Sequence, residues 1–308
     1  MNNEEKKYVA FCCDNNYAKY LMTTINSICI TNINQKIVFC IFSSDLDNQS
    51  KEAIKSLILN VPPYNKEYLF FDIDDNKLEG VLLDNLDNRI TIATCYRFFV
   101  PYYLNNICDK VLYLDVDLCV TNELDELFSV SLNDNIIGAV NEVVPYHREL
   151  KIENYFNAGV LLIDVKKWNQ NDFTKKCINE LKRIAYKLAD QDVLNILLKD
   201  NRYILPEKFN YKYNLDSLKK SNHMPPDDVC IIHFLAESKP WCLWTQDFNV
   251  VKNIYNKFLL SKENANLTLP KTSTQIRKMI KNSYTAGKYS VCKYWILKYL
   301  KLKLFGEI

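Results

Sequence analysis

Three apolar runs, KKYVAFCCD (6–14), KIVFCIFSSD (36–45) and YLFFDID (68–74), alternate with two stretches of helical spacing, YAKYLMTTINSICI (17–30) and SKEAIKSLIL (50–59). No other feature limits the fold as much. Strands that are apolar along their whole length are covered on both faces, and strand–helix–strand order pairs them in parallel. The pattern predicts a doubly wound α/β domain whose ligand crevice lies outside the carboxyl ends of the strands. Asp14 and the pair Asp115/Asp117 fall at such ends. With 308 residues, nearly half of them apolar, the chain suits one such domain and an appendage.

Further along, ATCYRFFVPYYL (93–104) predicts a helix in which Arg97 is the one charge among aromatics. Strands are expected at VLYLDVDLCV (111–120), NIIGAVNE (135–142), NYFNAGVLLID (154–164) and VCIIHF (229–234). Helices are expected around 172–187 and at DQDVLNILL (190–198), and the polar connection 76–90 reads as a lid.

Asp115 and Asp117 raise the question of chemistry. In a strand, side chains at i and i+2 point the same way, about 6.5 Å apart. Two carboxylates on one side of a dry crevice either shift their pKa values or share a cation. Three readings stand open: a strand end that has reached water, the nucleophile strand of a haloacid-dehalogenase-type phosphatase, and a divalent-metal site gripping a nucleotide diphosphate. The phosphatase reading expects a Gly-Thr-like turn next, and here Leu118 and Cys119 follow. The metal reading wants a further ligand, and the chain has three histidines. His233 ends a strand, with Lys239 soon after to meet phosphate. An imidazole beside two carboxylates favours Mn²⁺ over Mg²⁺. Each of these residues also has a plain structural reading. Asp14 and Asn16 suit a helix N-cap, Arg97 a snorkelling cation, Asn157 a turn, and Asp190 a cap of the helix that follows it.

Charge is divided unevenly. From Lys271 onward there are nine Lys or Arg and one acid, Glu307, a balance of +8. The first 270 residues then carry 30 basic and 36 acidic side chains, or −6. The segment 281–308 interleaves Lys with Trp, Tyr and Leu, and its longest apolar run, YWIL, is far short of the ~20 residues a span requires. Such a segment suits an anionic membrane surface, the alternative being a helix packed on the body. Nucleic acid is not an expected partner, because the basic excess is confined to the tail. Eleven cysteines without a Cys-x-x-Cys pair, and no leader-like segment, read as free thiols in a reducing cytoplasm.

VLYLDVDLCV, FNAGVLLIDVKKW, the DQD and VLN run at 190–195, and HFLAESKPW occur together in an order and spacing that resemble family 8 glycosyltransferases. The likeness runs from about residue 7 to about 245 and is greatest to bacterial lipooligosaccharide galactosyl- and glucosyltransferases. It implies a Rossmann-like GT-A fold with a mostly parallel sheet over 1–270, and a basic aromatic helical tail over 271–308. It also implies retaining transfer of a hexose from UDP-galactose or UDP-glucose to a glycan or lipid-linked acceptor. The enzyme would work at the cytoplasmic face of the inner membrane.

By that resemblance Asp115, Asp117 and His233 are the ligands of Mn²⁺, with Mg²⁺ the alternative. Asp14 and Asn16 hold the uridine, with the Cys12 backbone and Val116 beside the nucleotide. Arg97 lies near donor sugar and diphosphate, and Lys239 grips the phosphates. Asn157, Ala158 and Asp190 read the sugar hydroxyls, and Gln191 sits by the anomeric carbon. Two departures stand out. Ala236, in the loop that faces the diphosphate, replaces a common glycine, and Tyr96 replaces a small residue. The other readings are a different metal-dependent phosphate enzyme and a sugar-nucleotide binder without catalysis.

Overall fold

The computed structural model describes residues 5–83, 92–143, 150–215, 224–235, 237–245, 250–260 and 267–306. The chain divides into two compact units, Met1–Tyr211 with Asp228–Ile232, and Lys212–Asp227 with His233–Ile308.

The first unit begins with the predicted alternation: β1 (Lys7–Cys12), α1 (Ala18–Thr31), β2 (Ile37–Ser43), α2 (Asn48–Asn60) and β3 (Lys66–Asp72). After 3₁₀ turns at Asp75–Leu78 and Ile92–Phe99 come α3 (Val100–Tyr103), β4 (Lys110–Leu114), β5 (Leu118–Val120) and α4 (Asp125–Ser129). Then follow β6 (Ile137–Asn141), β7 (Phe156–Asp164), α5 (Val165–Gln170), α6 (Phe173–Arg183), α7 (Ala189–Leu198) and β8 (Arg202–Ile204). The short strands β9 (Tyr211–Tyr213) and β10 (Ile231–Phe234) close the series.

Seven strands form one sheet in the order β3-β2-β1-β4-β7-β6-β8. The pairs β1/β2, β1/β4, β2/β3 and β6/β8 are parallel, whereas β7 runs antiparallel to β4 and β6. The sheet is mostly parallel and the fold is α/β. All seven residues of β2 are buried, as a strand covered on both faces requires. Its alternate residues serve two cores. Phe39 and Ile41 pack with Leu21, Ile25 and Ile54 of the helices on one face. Cys40 and Phe42 share the other face with Tyr113, Leu161, Trp168 and Val193.

Two expectations are corrected. The stretch 93–104 is a 3₁₀ segment followed by the short α3, not one helix. Pro101 explains this, since a proline fits the first turn of a helix but breaks its interior. VLYLDVDLCV is likewise not one strand, because β4 stops at Leu114 and β5 starts at Leu118. Its apolar run is divided between the seven-stranded sheet and a second sheet of order β5-β10-β9.

The second unit contains α8 (Val250–Lys257), α9 (Ser273–Thr285) and α10 (Tyr289–Phe305). Thr272 and Gln275 form a capping box that starts α9, and Gly287, at φ +71°, allows the tight turn into α10. Gln275 and Lys278 bond Glu237 at 2.8 and 3.1 Å, and Asn282 donates to the Trp244 carbonyl at 2.5 Å. The tail is helical, as expected, yet its first helix packs on the segment after β10. No described helix is long and apolar enough to cross a membrane.

A candidate sugar-nucleotide site

The bend between β4 and β5 is held from two sides. Asp115 N–H donates to the Gly159 carbonyl at 2.8 Å, the last rung to β7. The Thr24 hydroxyl of α1 lies 2.9 and 2.8 Å from the carbonyls of Val116 and Leu118. Asp115 and Asp117 therefore flank a pinned bend, where the sequence had suggested one face of a strand.

Arg97 is the hub of the first unit's site. Its Nη2 meets Asp115 Oδ1 at 3.0 Å, its Nε meets Asp190 Oδ2 at 3.0 Å, and its Nη1 donates to the Ala158 carbonyl at 2.7 Å. The guanidinium lies 4.8 Å from the centroid of Tyr113, whose hydroxyl donates to Asp115 at 2.7 Å. Arg97 and Asp190 are only 7% and 5% exposed, so neither the snorkelling reading nor the simple cap reading describes them. Burial works against the Arg97 charge, but Asp115 and Asp190 outweigh it and hold its pKa well above the ordinary value. For Asp190 burial wins over Arg97, and its pKa is pushed up to about 6.

That shift gives a stability prediction. A carboxyl whose folded pKa exceeds its unfolded value binds its proton more readily in the native state. Its contribution is then present at low pH and lost as pH rises from about 4 to about 6. The melting temperature of Asp190→Asn, followed against pH, should lack this slope. An unchanged slope would mean that Asp190 titrates normally.

At the start of β7 the amides interlock. Gln191 Oε1 accepts from Ala158 N–H at 3.0 Å and from Asn157 Nδ2 at 3.2 Å. Asn157 Oδ1 accepts from Gly159 N–H and from the buried Asn210 Nδ2, at 2.9 and 2.8 Å. Asp192 carries the helix-start role, accepting from Leu188 N–H at 2.9 Å. Sequence reasoning missed Glu142, whose Oε2 accepts from Asn157 at 2.9 Å and Gln191 at 3.4 Å. Its setting, NEVV, reads as a strand reaching water, so no local signal could have found it.

Cys12 ends β1, buried, with a thiol that burial holds well above its ordinary pKa, an inert wall rather than a nucleophile. Asp14 Oδ1 accepts from Tyr17 N–H at 3.0 Å, so it orders the turn into α1, and Asn16 is exposed. Asn15, between them, was also missed. Its side chain exchanges hydrogen bonds with Asp47 at 2.8 and 3.2 Å, and its N–H bonds Asp45 at 3.0 Å. This clamp ties the Asp14–Asn16 turn to the end of β2. Tyr96 uses its size: its hydroxyl donates to Asp75 at 2.6 Å and lies 2.7 Å from the Ser44 hydroxyl.

His233 is buried on β10, one peptide bond beyond Ile232 of the first unit. Asp115, Asp117 and His233 each offer one ligand atom, and these atoms lie within 4.8 Å of one another. Two carboxylate oxygens and an imidazole nitrogen suit Mn²⁺ or Mg²⁺, and among the described residues no cysteine joins the group. Lys239, in the second unit, donates to the Phe234 carbonyl at 2.5 Å, which folds the loop after β10 back on its strand. Ala236 lies outside the described residues. All eleven cysteines are free thiols.

The chain is 27% identical to a lipopolysaccharide 1,3-galactosyltransferase of Salmonella typhimurium, over 98% of this chain and 93% of that one. A lipopolysaccharide 1,2-glucosyltransferase of Escherichia coli K12 is 28% identical over 79% and 75% of the two chains. The crystal structure of galactosyltransferase LgtC with donor and acceptor sugar analogues superposes with a TM-score of 0.69. That match has 26% identity and covers 83% of this chain and 98% of the other. The profile of glycosyl transferase family 8 matches residues 8–245, and the chain belongs to that family.

Proposed function

We propose that the protein transfers a galactose or glucose from its UDP-sugar to a hydroxyl of a glycan or lipid-linked acceptor, with retention, in the building of a lipooligosaccharide or lipopolysaccharide. One observation carries the reading: a donor set for a divalent cation shares Asp115 with a buried arginine that also holds Asp190. A Mn²⁺ ion held by Asp115, Asp117 and His233, with Mg²⁺ the alternative, would neutralise charge on the diphosphate.

The chain's own residues do the rest. Asp14, Asn16 and the backbone of Cys12 and Val116 hold the nucleoside, and Lys239 meets the phosphates. Arg97 supplies fixed positive charge beside the donor, in a setting too dry to need reorganisation. Asn157, Ala158 and Asp190 read sugar hydroxyls, and the Gln191 amide oxygen faces positive charge developing at the anomeric carbon. Asp190 is committed to Arg97, and Glu142 to two amides. Neither carboxylate is placed as a free nucleophile. The acceptor hydroxyl therefore enters on the face that UDP leaves, and a phosphate oxygen of UDP takes its proton. A trapped sugar adduct on Gln191, Asp190 or Glu142 would refute this course.

Release of UDP from a panel of nucleotide sugars, with Mn²⁺ and EDTA arms, tests the function. Turnover of UDP-galactose or UDP-glucose that EDTA abolishes and Mn²⁺ restores is the expected result. Absence of any UDP-hexose turnover overturns it.

Membrane contact belongs to the same proposal. On α10, Tyr294, Leu297, Leu300, Leu304 and Phe305 are exposed beside Lys293, Lys301 and Lys303. Aromatic and aliphatic side chains among lysines support docking on an anionic lipid surface, each lysine adding about 1 kcal/mol before screening. Deleting 271–308 is a poor test, because α9 holds Glu237 and Trp244. Replacing Lys293, Lys301 and Lys303 together by glutamate should release the protein from phosphatidylserine vesicles and leave UDP-sugar hydrolysis unchanged. Retained binding would remove α10 as the anchor.

A further inference from the structure

The reactive end of Gln191 is an amide, and an amide's two ends differ in charge but hardly in shape. Only its partners decide which end points where. Here the partners leave no choice. The Ala158 N–H can only donate, so the atom it meets at 3.0 Å is Oε1. A carboxylate can only accept, so the atom that meets Glu142 is Nε2, at 3.4 Å. The Tyr155 hydroxyl lies 3.3 Å from the same nitrogen, and it donates its own hydrogen to Asp192. Among the described residues Glu142 is the carboxylate that meets Nε2, and bonds to carboxylates are stronger than bonds to neutral oxygens.

Asn157 is a different case. Its oxygen is already set by Gly159 N–H and Asn210, so its orientation survives without Glu142. Glu142 itself is anchored, since its backbone N–H donates to the Tyr155 carbonyl at 2.7 Å. It follows β6 directly, far in sequence from the helix it acts on.

From this we infer that Glu142 is a positioning residue: its carboxylate holds the nitrogen end of the Gln191 amide, as Ala158 N–H and Asn157 Nδ2 hold the oxygen end, so that the oxygen and not the nitrogen lies on the side of the reacting carbon. The inference rests on the transferase reading above. In the flipped state the amide nitrogen would face the Ala158 N–H and the Asn157 Nδ2, and the amide oxygen would face the carboxylate, three repulsive contacts for three lost bonds. The flipped amide would also present positive charge where the reaction develops it.

The test is Glu142→Gln, made in the wild-type chain and in Gln191→Ala, with kcat and donor KM read from UDP release. In the wild-type background kcat should fall about tenfold or more with donor KM held within about twofold, as expected for misplacement without lost binding. Glu142→Asp should recover part of the loss. In the Gln191→Ala background the same Glu142→Gln change should cost nothing further. An unchanged kcat in Glu142→Gln overturns the inference. So does an undiminished loss in the Gln191→Ala background, which would mean that Glu142 touches the substrate itself.

A second readout does not need turnover. The ¹⁵N side-chain amide signal of Gln191 should move in Glu142→Gln, and an unmoved signal overturns the inference. A wild-type chain that turns over no UDP-hexose, yet shows that shift, overturns the reaction and leaves the positioning contact standing.

Discussion

Replacing Asp117 by asparagine should lower Mn²⁺-dependent UDP-sugar turnover on the order of a thousandfold while the melting temperature stays near that of the wild type. The size follows from what is removed: charge compensation for a leaving diphosphate, in a site where fixed charges act at full strength. Asparagine keeps the shape and a carbonyl oxygen, so the loss isolates the charge. Asp117 is a cleaner target than Asp115, whose Oδ1 also binds Arg97 and Tyr113. A change at Asp115 would disturb the arginine along with any cation. Mn²⁺ binding, followed by its paramagnetic signal, should weaken in parallel. Undiminished turnover in Asp117→Asn would remove this residue from the ligand set.

The second large effect belongs to Arg97. Arg97→Met should abolish turnover and also destabilise the fold by about 3–5 kcal/mol, the usual cost of stripping a buried carboxylate of its partner. Asp190 is the carboxylate left behind, and Asp115 loses a donor. Adding Asp190→Asn to Arg97→Met should therefore recover much of the stability and none of the activity. Thermal unfolding and UDP release, measured on the single and double variants, separate the two roles. If Arg97→Met melts like the wild type, the guanidinium is not the hub that its contacts indicate.

Much of this was legible in the sequence, for reasons that can be stated residue by residue. The alternation through β1 to β3 was readable because each strand is buried on both faces, and continuous apolar runs have few other uses. Asp115, Asp117 and Arg97 were visible because each is a charge set in an apolar run. Their partners were not. The bond from Arg97 to Asp190 joins segments ninety-odd residues apart, and only the folded sheet brings them together. The bend at Asp115–Asp117 was hidden because apolar residues before and after it belong to different sheets, and hydrophobicity does not say which.

The shift to basic residues near 270 marked a change of charge and carried no information on packing, which the bonds of α9 to Glu237 and the Trp244 carbonyl supply. Pro101 was a signal available in the sequence and underused, since an interior proline argues against one helix over 93–104. Glu142 and Asn15 had no signal at all. Their roles are bonds to distant amides and carboxylates, and their own surroundings look like ordinary strand ends and turns.

One consequence of the β7 arrangement concerns how such a site would be mapped. Arg97 holds the carbonyl of residue 158, and Gln191 receives the N–H of the same residue. The Arg97 guanidinium and the Gln191 amide are thus fastened to the backbone of a single residue. That residue is an alanine already, so a survey that truncates side chains one at a time would pass over it. Exchanging the amide bonds on either side of Ala158 for esters would reach what no side-chain substitution can, the mount that keeps the two halves of the site in register.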